Sequence, residues 1–402
     1  MSKVYIVSAK RTAIGSFGGS FKSVPAAQLA AETVKAVLQE SRLAPNQVDE
    51  LLMGNVIAAG QGMGPGRQAA IAAGLPNEVP AYTVNMICGS GMKVVMDGAA
   101  HIKAGDADVV VACSGENMSR YPYIVTSDIR FGTKMGNLEM SDSLIDDGLT
   151  DVFNKYHMGI TAENVAQQLD VSRTDQDDFA LQSQLRAASA IESGKFVDEI
   201  VPVDVTVRRK TKTICQDEYP KAEAAAEAFT KMRPAFKKDG TVTAANASGL
   251  NDGGSAILLA SEAAVNQYAL EPIAELVSYA QSGVDPQVMG LGPVPAVAAA
   301  LTKAGLSLKD IELLELNEAF AAQALGVMKQ LCTEHNESLT SLTARTNVNG
   351  GAIALGHPLG ASGNRIIVTL LHEMQKRGNK YGLASLCIGG GMGTAVVVKA
   401  IS

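Results

Sequence analysis

Two cysteines and two histidines sit where side chains of their type could do chemistry. Cys88 lies in VNMICGSGMKVV, after an apolar strand pattern and ahead of a helical one. Its sulfur is therefore expected at a helix N-terminus, where unpaired N–H groups and the helix dipole favour negative charge and lower the pKa toward the nucleophilic thiolate. Cys387 lies in LCIGGGMGTAVVVKA, at the mouth of a glycine turn whose bare N–H groups suit an anion. His357 lies in NVNGGAIALGHPLGASGNRII, where Gly350, Gly351, Gly356, Gly360 and Gly363 allow close approach and Pro358 holds the histidine in an extended or turn geometry. Its imidazole is placed to donate to an oxyanion. Asn317, in LNEAFAAQALGVM, opens an apolar helix and can orient a water. His157 and Met158, in KYHMGITAENVAQQ, precede a helix expected to be capped at Thr161. Each has a plainer reading: a buried structural thiol at Cys88, a loop histidine satisfied by backbone at 357, an N-cap at Asn317 and an incidental capping segment at His157.

The elements that must position these residues are those of an α/β protein. Strand patterns at 4–9, 50–57, 82–87, 108–115, 255–261, 272–280, 311–320 and 383–402 alternate with alanine-rich helical stretches such as 26–43. The 402 residues suit two or three domains, and 47% hydrophobic with only 4% aromatic residues favours close packing through small side chains. A net charge of −7 speaks against non-specific nucleic-acid binding. The five cysteines contain no C-x-x-C pair, which argues against a zinc knuckle, and reduced thiols are expected. The first residues read as a strand, not a signal peptide, and no apolar run is long enough to span a membrane. The spacing G-x-G-x-x-G of a dinucleotide site is missing from GSFGGS after the first strand. Residues 121–249 read as an excursion with one amphipathic helix over 173–194 and an irregular stretch over 207–229. A weak internal repeat relates the segment from Cys88 to Met118 to the one ending in Cys387: each runs Ser-Gly, helix, glycine turn, strand, cysteine. It implies two similar halves facing one another.

In order along the chain, Cys88-Gly-Ser-Gly, His157-Met-Gly, Asn317-Glu-Ala-Phe, Gly356-His-Pro-x-Gly-Ala-Ser-Gly and Cys387-x-Gly-Gly-Gly-Met-Gly resemble the thiolases, over essentially the whole length. The His-Met-Gly motif and the chain length resemble the short-chain, biosynthetic branch that forms acetoacetyl-CoA from acetyl-CoA. The resemblance implies a five-layered αβαβα fold of two similar halves. The N-terminal half would be 1–120 plus 250–270, the inserted loop domain 121–249 and the C-terminal half 271–402. It implies a ping-pong acetyltransferase. Cys88 is the acylated nucleophile, His357 takes its proton and Cys387 is the base on the second substrate. His357 and a water on Asn317 hold the enolate oxygen; the N–H groups of Cys88 and Gly389 hold the tetrahedral oxyanion. Leu149, His157, Met158, Lys221, Ser248, Met289, Ala319 and Phe320 are the implied substrate and CoA contacts, Lys221 standing where relatives often carry arginine. CoA is implied as substrate and product, with no metal or other cofactor. A cytoplasmic homotetramer is implied, with part of 121–145 as its assembly loop and no nucleic-acid or membrane partner. Alternatives are a broader-chain degradative 3-ketoacyl-CoA thiolase and, from another class, a non-catalytic acyl-CoA or lipid carrier on the same scaffold. Residues 334–345 are read as a surface loop.

Overall fold

A computed structural model describes residues 3–221, 229 and 231–401. Nine strands carry the architecture: β1 (Val4–Thr12), β2 (Glu50–Gly54), β3 (Ala81–Val84), β4 (Val109–Asn117), β5 (Asn251–Ser261), β6 (Ala274–Gly283), β7 (Leu313–Leu316), β8 (Tyr381–Ile388) and β9 (Met392–Ala400). They hydrogen-bond in the order β7-β8-β9-β6-β1-β5-β4-β2-β3. The first half therefore reads β3-β2-β4-β5-β1 and the second β7-β8-β9-β6, the same order with one edge strand fewer. The halves meet where β1 and β6 pair antiparallel through Tyr5 with Glu275 and Ile6 with Ala274.

The sequence reads 383–402 as one apolar run. It is two antiparallel strands, because Gly390 and Gly391 take φ of 85° and 88° and reverse the chain between β8 and β9. The stretch 334–345 is not a loop: helix α6 (Ala321–His335) ends at Asn336 and a short helix follows over Leu339–Ala344, capped by the Ser338 hydroxyl, with Leu342 buried.

Five layers follow from which faces are apolar. Helix α1 (Ala26–Ser41) buries Ala27, Ala30, Ala31, Val34 and Val37 against the outer face of the first half. Helices α5 (Pro293–Ala304) and α6 cover the outer face of the second. Between the sheets lie α2 (Ser90–Ala104) and α7 (Leu359–Arg377), in one apolar core with the inner faces of both. These two helices cross where side chains are missing. A Cβ on Gly91 would lie 2.7 Å from the Gly360 carbonyl oxygen, and one on Gly363 would lie 2.6 Å from the Met92 nitrogen. The close crossing brings the N-termini of α2 and α7, and the loops before them, together.

The excursion leaves β4 at Asn117 and returns as β5, whose Asp252 pairs with Asn117. It contains α3 (Met158–Gln168), α4 (Arg173–Glu192) and a hairpin of Val203–Val207 with Lys210–Ile214. The hairpin replaces the irregular stretch expected there; Arg208 and Arg209 turn it with φ of 47° and 67°. The remainder of that expectation, at 222–228, lies outside the described residues.

A buried ion network ties the excursion to β1. Arg11 is fully buried; its Nε lies 2.6 Å from Glu199 and its two terminal nitrogens lie 2.7 and 2.9 Å from Asp217. Arg11→Ala would strand two buried carboxylates, so unfolding free energy is expected to fall by about 3–5 kcal/mol. Urea denaturation measures it.

Candidate active site

The Cys88 wall is built by a strained turn. After β3, Ile87 adopts φ 49°, a left-handed conformation that a β-branched residue rarely takes. Ser90 holds it there, accepting from the Met86 N–H at 2.8 Å and donating to the Ile87 carbonyl at 2.6 Å. Cys88 follows, directly before α2. The N–H groups of Gly389 and of Cys88 itself reach its sulfur and pull its pKa down. Burial outweighs them and pushes the thiol up to about 11, helped by the nearby Glu116. The lowered pKa expected from the helix terminus is thus corrected: desolvation by apolar walls outweighs the dipole.

Glu116 belongs to the site and is not legible as such in the sequence. It sits at the end of an apolar strand with nothing but its position in SGENM to single it out. Fully buried, it accepts from Val56 N–H at 2.8 Å, Gly360 N–H at 3.0 Å and the Asn55 amide at 3.0 Å, and burial raises it to about 7. It pins the first turn of α7 to the loop after β2.

His357 is likewise buried. Its backbone N–H donates to Asn251 Oδ1 at 2.9 Å, its Nδ1 lies 2.6 Å from Ser362 Oγ, and its Nε2 lies 3.5 Å from Asn317 Nδ2. Burial, then the positive Arg365, press its pKa down to about 3, so the ring is neutral at rest. Asn317 is not an N-cap. It follows β7, its N–H donates to the Ser385 carbonyl at 3.0 Å, and α6 begins only at Ala321. Its Oδ1 is buried with no protein partner among the described residues, so it is free to accept from a water.

Cys387 stands near the end of β8, 1% exposed, with its pKa pushed up first by burial and then by the Cys88 charge. Cys113, its counterpart in the repeat, packs into the outer apolar core of the first half. Cys88 and Cys387 are both free thiols.

One cavity of about 380 Å³ is lined by Cys88, His357, Cys387 and Gly389 together, and by Leu149, His157, Met158, Ser248, Met289, Ala319 and Phe320. Its walls are largely apolar. Met118 and Leu250, where the excursion leaves and returns, also line it. Asn317 lies behind the wall, against His357. Lys221 does not line the cavity; it is exposed, its Nζ 5.2 Å from the ring centre of Tyr219, which does. His157 is itself the cap of α3: its Nδ1 accepts from Gly159 N–H at 3.0 Å, correcting the cap expected at Thr161. Its ring stacks on Phe236 at 4.5 Å, and Phe236 meets Phe320 edge-on at 6.2 Å. Phe236 and Tyr219 have no motif around them that marks them in the sequence. Among the described residues no His, Cys, Asp or Glu group is placed to hold a metal ion, and no helix is long and apolar enough to cross a membrane.

With a neutral imidazole beside a thiol raised to about 11, there is no preformed thiolate–imidazolium pair. The rate of Cys88 labelling by iodoacetamide is therefore expected to climb with pH throughout the range above about pH 7. A flat rate between about pH 5 and 7 would reveal an ion pair and overturn this.

Residues 4–263 match the family profile "Thiolase, N-terminal domain" and residues 270–400 match "Thiolase, C-terminal domain". The chain belongs to the thiolase family. This thiolase is 53% identical over 398 residues to an acetyl-CoA acetyltransferase of Chromobacterium violaceum, covering 99% of each chain. Its fold matches the crystal structure of the Bacillus anthracis acetyl-CoA acetyltransferase with a TM-score of 0.95 at 42% identity, covering 100% of this chain and 99% of that one. It matches human mitochondrial 3-ketoacyl-CoA thiolase with a TM-score of 0.94 at 44% identity, again over 100% and 99%. The thiolase is accordingly an acyltransferase enzyme, and its five layers and two matched halves are those of the family.

Proposed function

We propose that this enzyme condenses two molecules of acetyl-CoA to acetoacetyl-CoA and CoA, reversibly and by a ping-pong route. The observation that carries the reading is the convergence of Cys88, Cys387 and His357 on one apolar cavity. The Cys88 S–H proton passes to His357 Nε2 as the sulfur attacks the thioester carbonyl. The N–H groups of Cys88 and Gly389 hold the oxyanion, which is usually the largest single catalytic contribution. The carbonyl–sulfur bond to CoA then breaks, leaving acetyl-Cys88, and the CoA thiolate takes the Cys387 S–H proton and departs as CoA, so that Cys387 is left as a thiolate. Cys387 then removes a proton from the methyl group of a second acetyl-CoA. The enolate oxygen is held by the Nε2–H of His357 and a water on Asn317. The enolate carbon attacks acetyl-Cys88; a carbon–carbon bond forms, the bond to Cys88 breaks, its sulfur takes back the proton held on His357 Nε2, and acetoacetyl-CoA leaves with the methyl proton retained on Cys387.

The acyl chain and pantetheine lie along Leu149, Met158, Ser248, Met289, Ala319 and Phe320, with the His157–Phe236 stack beside them. Lys221, next to the cavity residue Tyr219, meets the nucleotide end as a point charge. On this reading the chain divides as 1–120 plus 250–270, 121–249 and 271–402. It assembles as a homotetramer through 121–145, where Tyr123, Phe131, Met135 and Met140 are exposed at 66, 87, 95 and 68%. Five free cysteines fit the reducing cytoplasm. CoA is substrate and product and no further cofactor is used.

Thiolysis by CoA, compared across 3-ketoacyl-CoA esters of increasing length, tests the reading. A kcat/KM that falls sharply beyond acetoacetyl-CoA is expected. A flat or rising profile would replace it with the broader-chain degradative thiolase.

A further inference from the structure

Ser362 is fully buried in the first turn of α7 and stands against the Nδ1 side of the His357 ring. Its hydroxyl has a single hydrogen, and that hydrogen is directed to the Pro358 carbonyl, 3.0 Å away, the turn-closing bond of a helical serine. What Ser362 has left for His357 Nδ1, at 2.6 Å, is a lone pair. On the other side of the ring Nε2 lies 3.5 Å from Asn317 Nδ2, an amide nitrogen that only donates. Both neighbours agree on one tautomer, with the hydrogen on Nδ1 and the lone pair on Nε2.

We infer that Ser362 is a positioning residue that makes His357 a base, by accepting the Nδ1–H and so leaving the Nε2 lone pair for the Cys88 proton. This rests on the acyl-transfer reading for its purpose, though not for its geometry. The bookkeeping of the step is simple: the Cys88 S–H bond breaks, its electron pair stays on sulfur, and an Nε2–H bond forms. The Nδ1–H···Oγ bond is unchanged by that transfer. One contact therefore serves the neutral ring that takes the proton and the protonated ring whose Nε2–H then holds the enolate oxygen. Ser362 is fully buried, so no bulk water supplies a substitute acceptor at Nδ1. A wrong tautomer at a catalytic histidine is costly, because the ring then presents a hydrogen where the mechanism needs a lone pair.

The test uses the whole protein labelled with 15N-histidine. There are five histidines, and His357 is assigned by its disappearance in His357→Asn. Solid-state 15N spectra of the unaltered protein are expected to show Nδ1 protonated and Nε2 bare. In Ser362→Ala the protonated nitrogen is expected to become Nε2, since Nδ1–H would otherwise be buried unpaired. kcat for thiolysis is expected to drop by about 10²-fold, in the range of a lost general base, with KM changed by less than about threefold because Ser362 does not reach the cavity. Ser362→Thr, which keeps the hydroxyl, is expected to recover most of the loss. A merely structural role would lower stability without moving the tautomer. Nε2–H in the unaltered protein, or wild-type kcat in Ser362→Ala, overturns the assignment. The 15N signature reads the tautomer whether or not a CoA ester is turned over, so failure of this assignment and failure of the acyl-transfer reading are separately visible.

Discussion

Cys88→Ser is expected to cut both acetoacetyl-CoA thiolysis and acetyl-CoA condensation by about 10⁴-fold or more. The cavity would change little, since the substitution only exchanges sulfur for a smaller oxygen between the same two N–H groups. The loss comes from acidity. A serine hydroxyl is far harder to ionise than a thiol, and this site already works against ionisation: apolar walls push Cys88 up to about 11, and the neighbouring base is held down to about 3. An imidazole held this low, which must already take the proton of a raised thiol, is a still poorer match for the far less acidic alcohol. The check is direct. Incubated with acetyl-CoA alone, the unaltered enzyme should carry one acetyl group on the peptide containing Cys88, and Cys88→Ser should carry none. Acetyl found at another residue, or turnover by the variant within about tenfold of the unaltered enzyme, would mean that Cys88 is not the covalent nucleophile.

Motif and periodicity make the two halves, the buried strands and the three side chains that meet at the cavity readable, because each has a local signature. A cysteine before a helix, a histidine in a glycine loop and a cysteine before a glycine turn all announce backbone that must come close to something. What was not readable depends on contacts across the fold. Glu116 looks like the end of any apolar strand, and its role arises only when Val56 and Gly360 close on it. Phe236 stacks on His157 from 79 positions away, with no pattern linking them. The sign of the Cys88 shift was misread for the same reason. A helix N-terminus is a local feature, whereas desolvation is set by walls drawn from both halves and the excursion. His157 as a cap, and the helix at 339–344, were missed because capping by histidine and short polar helices leave weak traces in a sequence.

Cys387→Ala should separate the two halves of the reaction. The first half needs Cys88, His357 and the N–H groups of Cys88 and Gly389; the second needs a base on the substrate methyl group. Acetylation of Cys88 by acetyl-CoA should therefore proceed near the normal rate in the variant. Exchange of labelled CoA into acetyl-CoA should continue for the same reason. Condensation should fall by about 10³–10⁴-fold, and thiolysis with it, because in reverse the same thiol must protonate the departing enolate. Burial raises the pKa of Cys387 first, and a charge on Cys88 raises it further. The Cys88 thioester carries no charge, so in the acyl-enzyme Cys387 ionises with no neighbouring thiolate to oppose it, and there the enolate meets an electrophile. Deuterium from solvent should accordingly enter the acetyl-CoA methyl group in the unaltered enzyme and not in Cys387→Ala. Equal loss of both half-reactions would make Cys387 indispensable to acylation as well, and unimpaired condensation would remove it from the chemistry altogether.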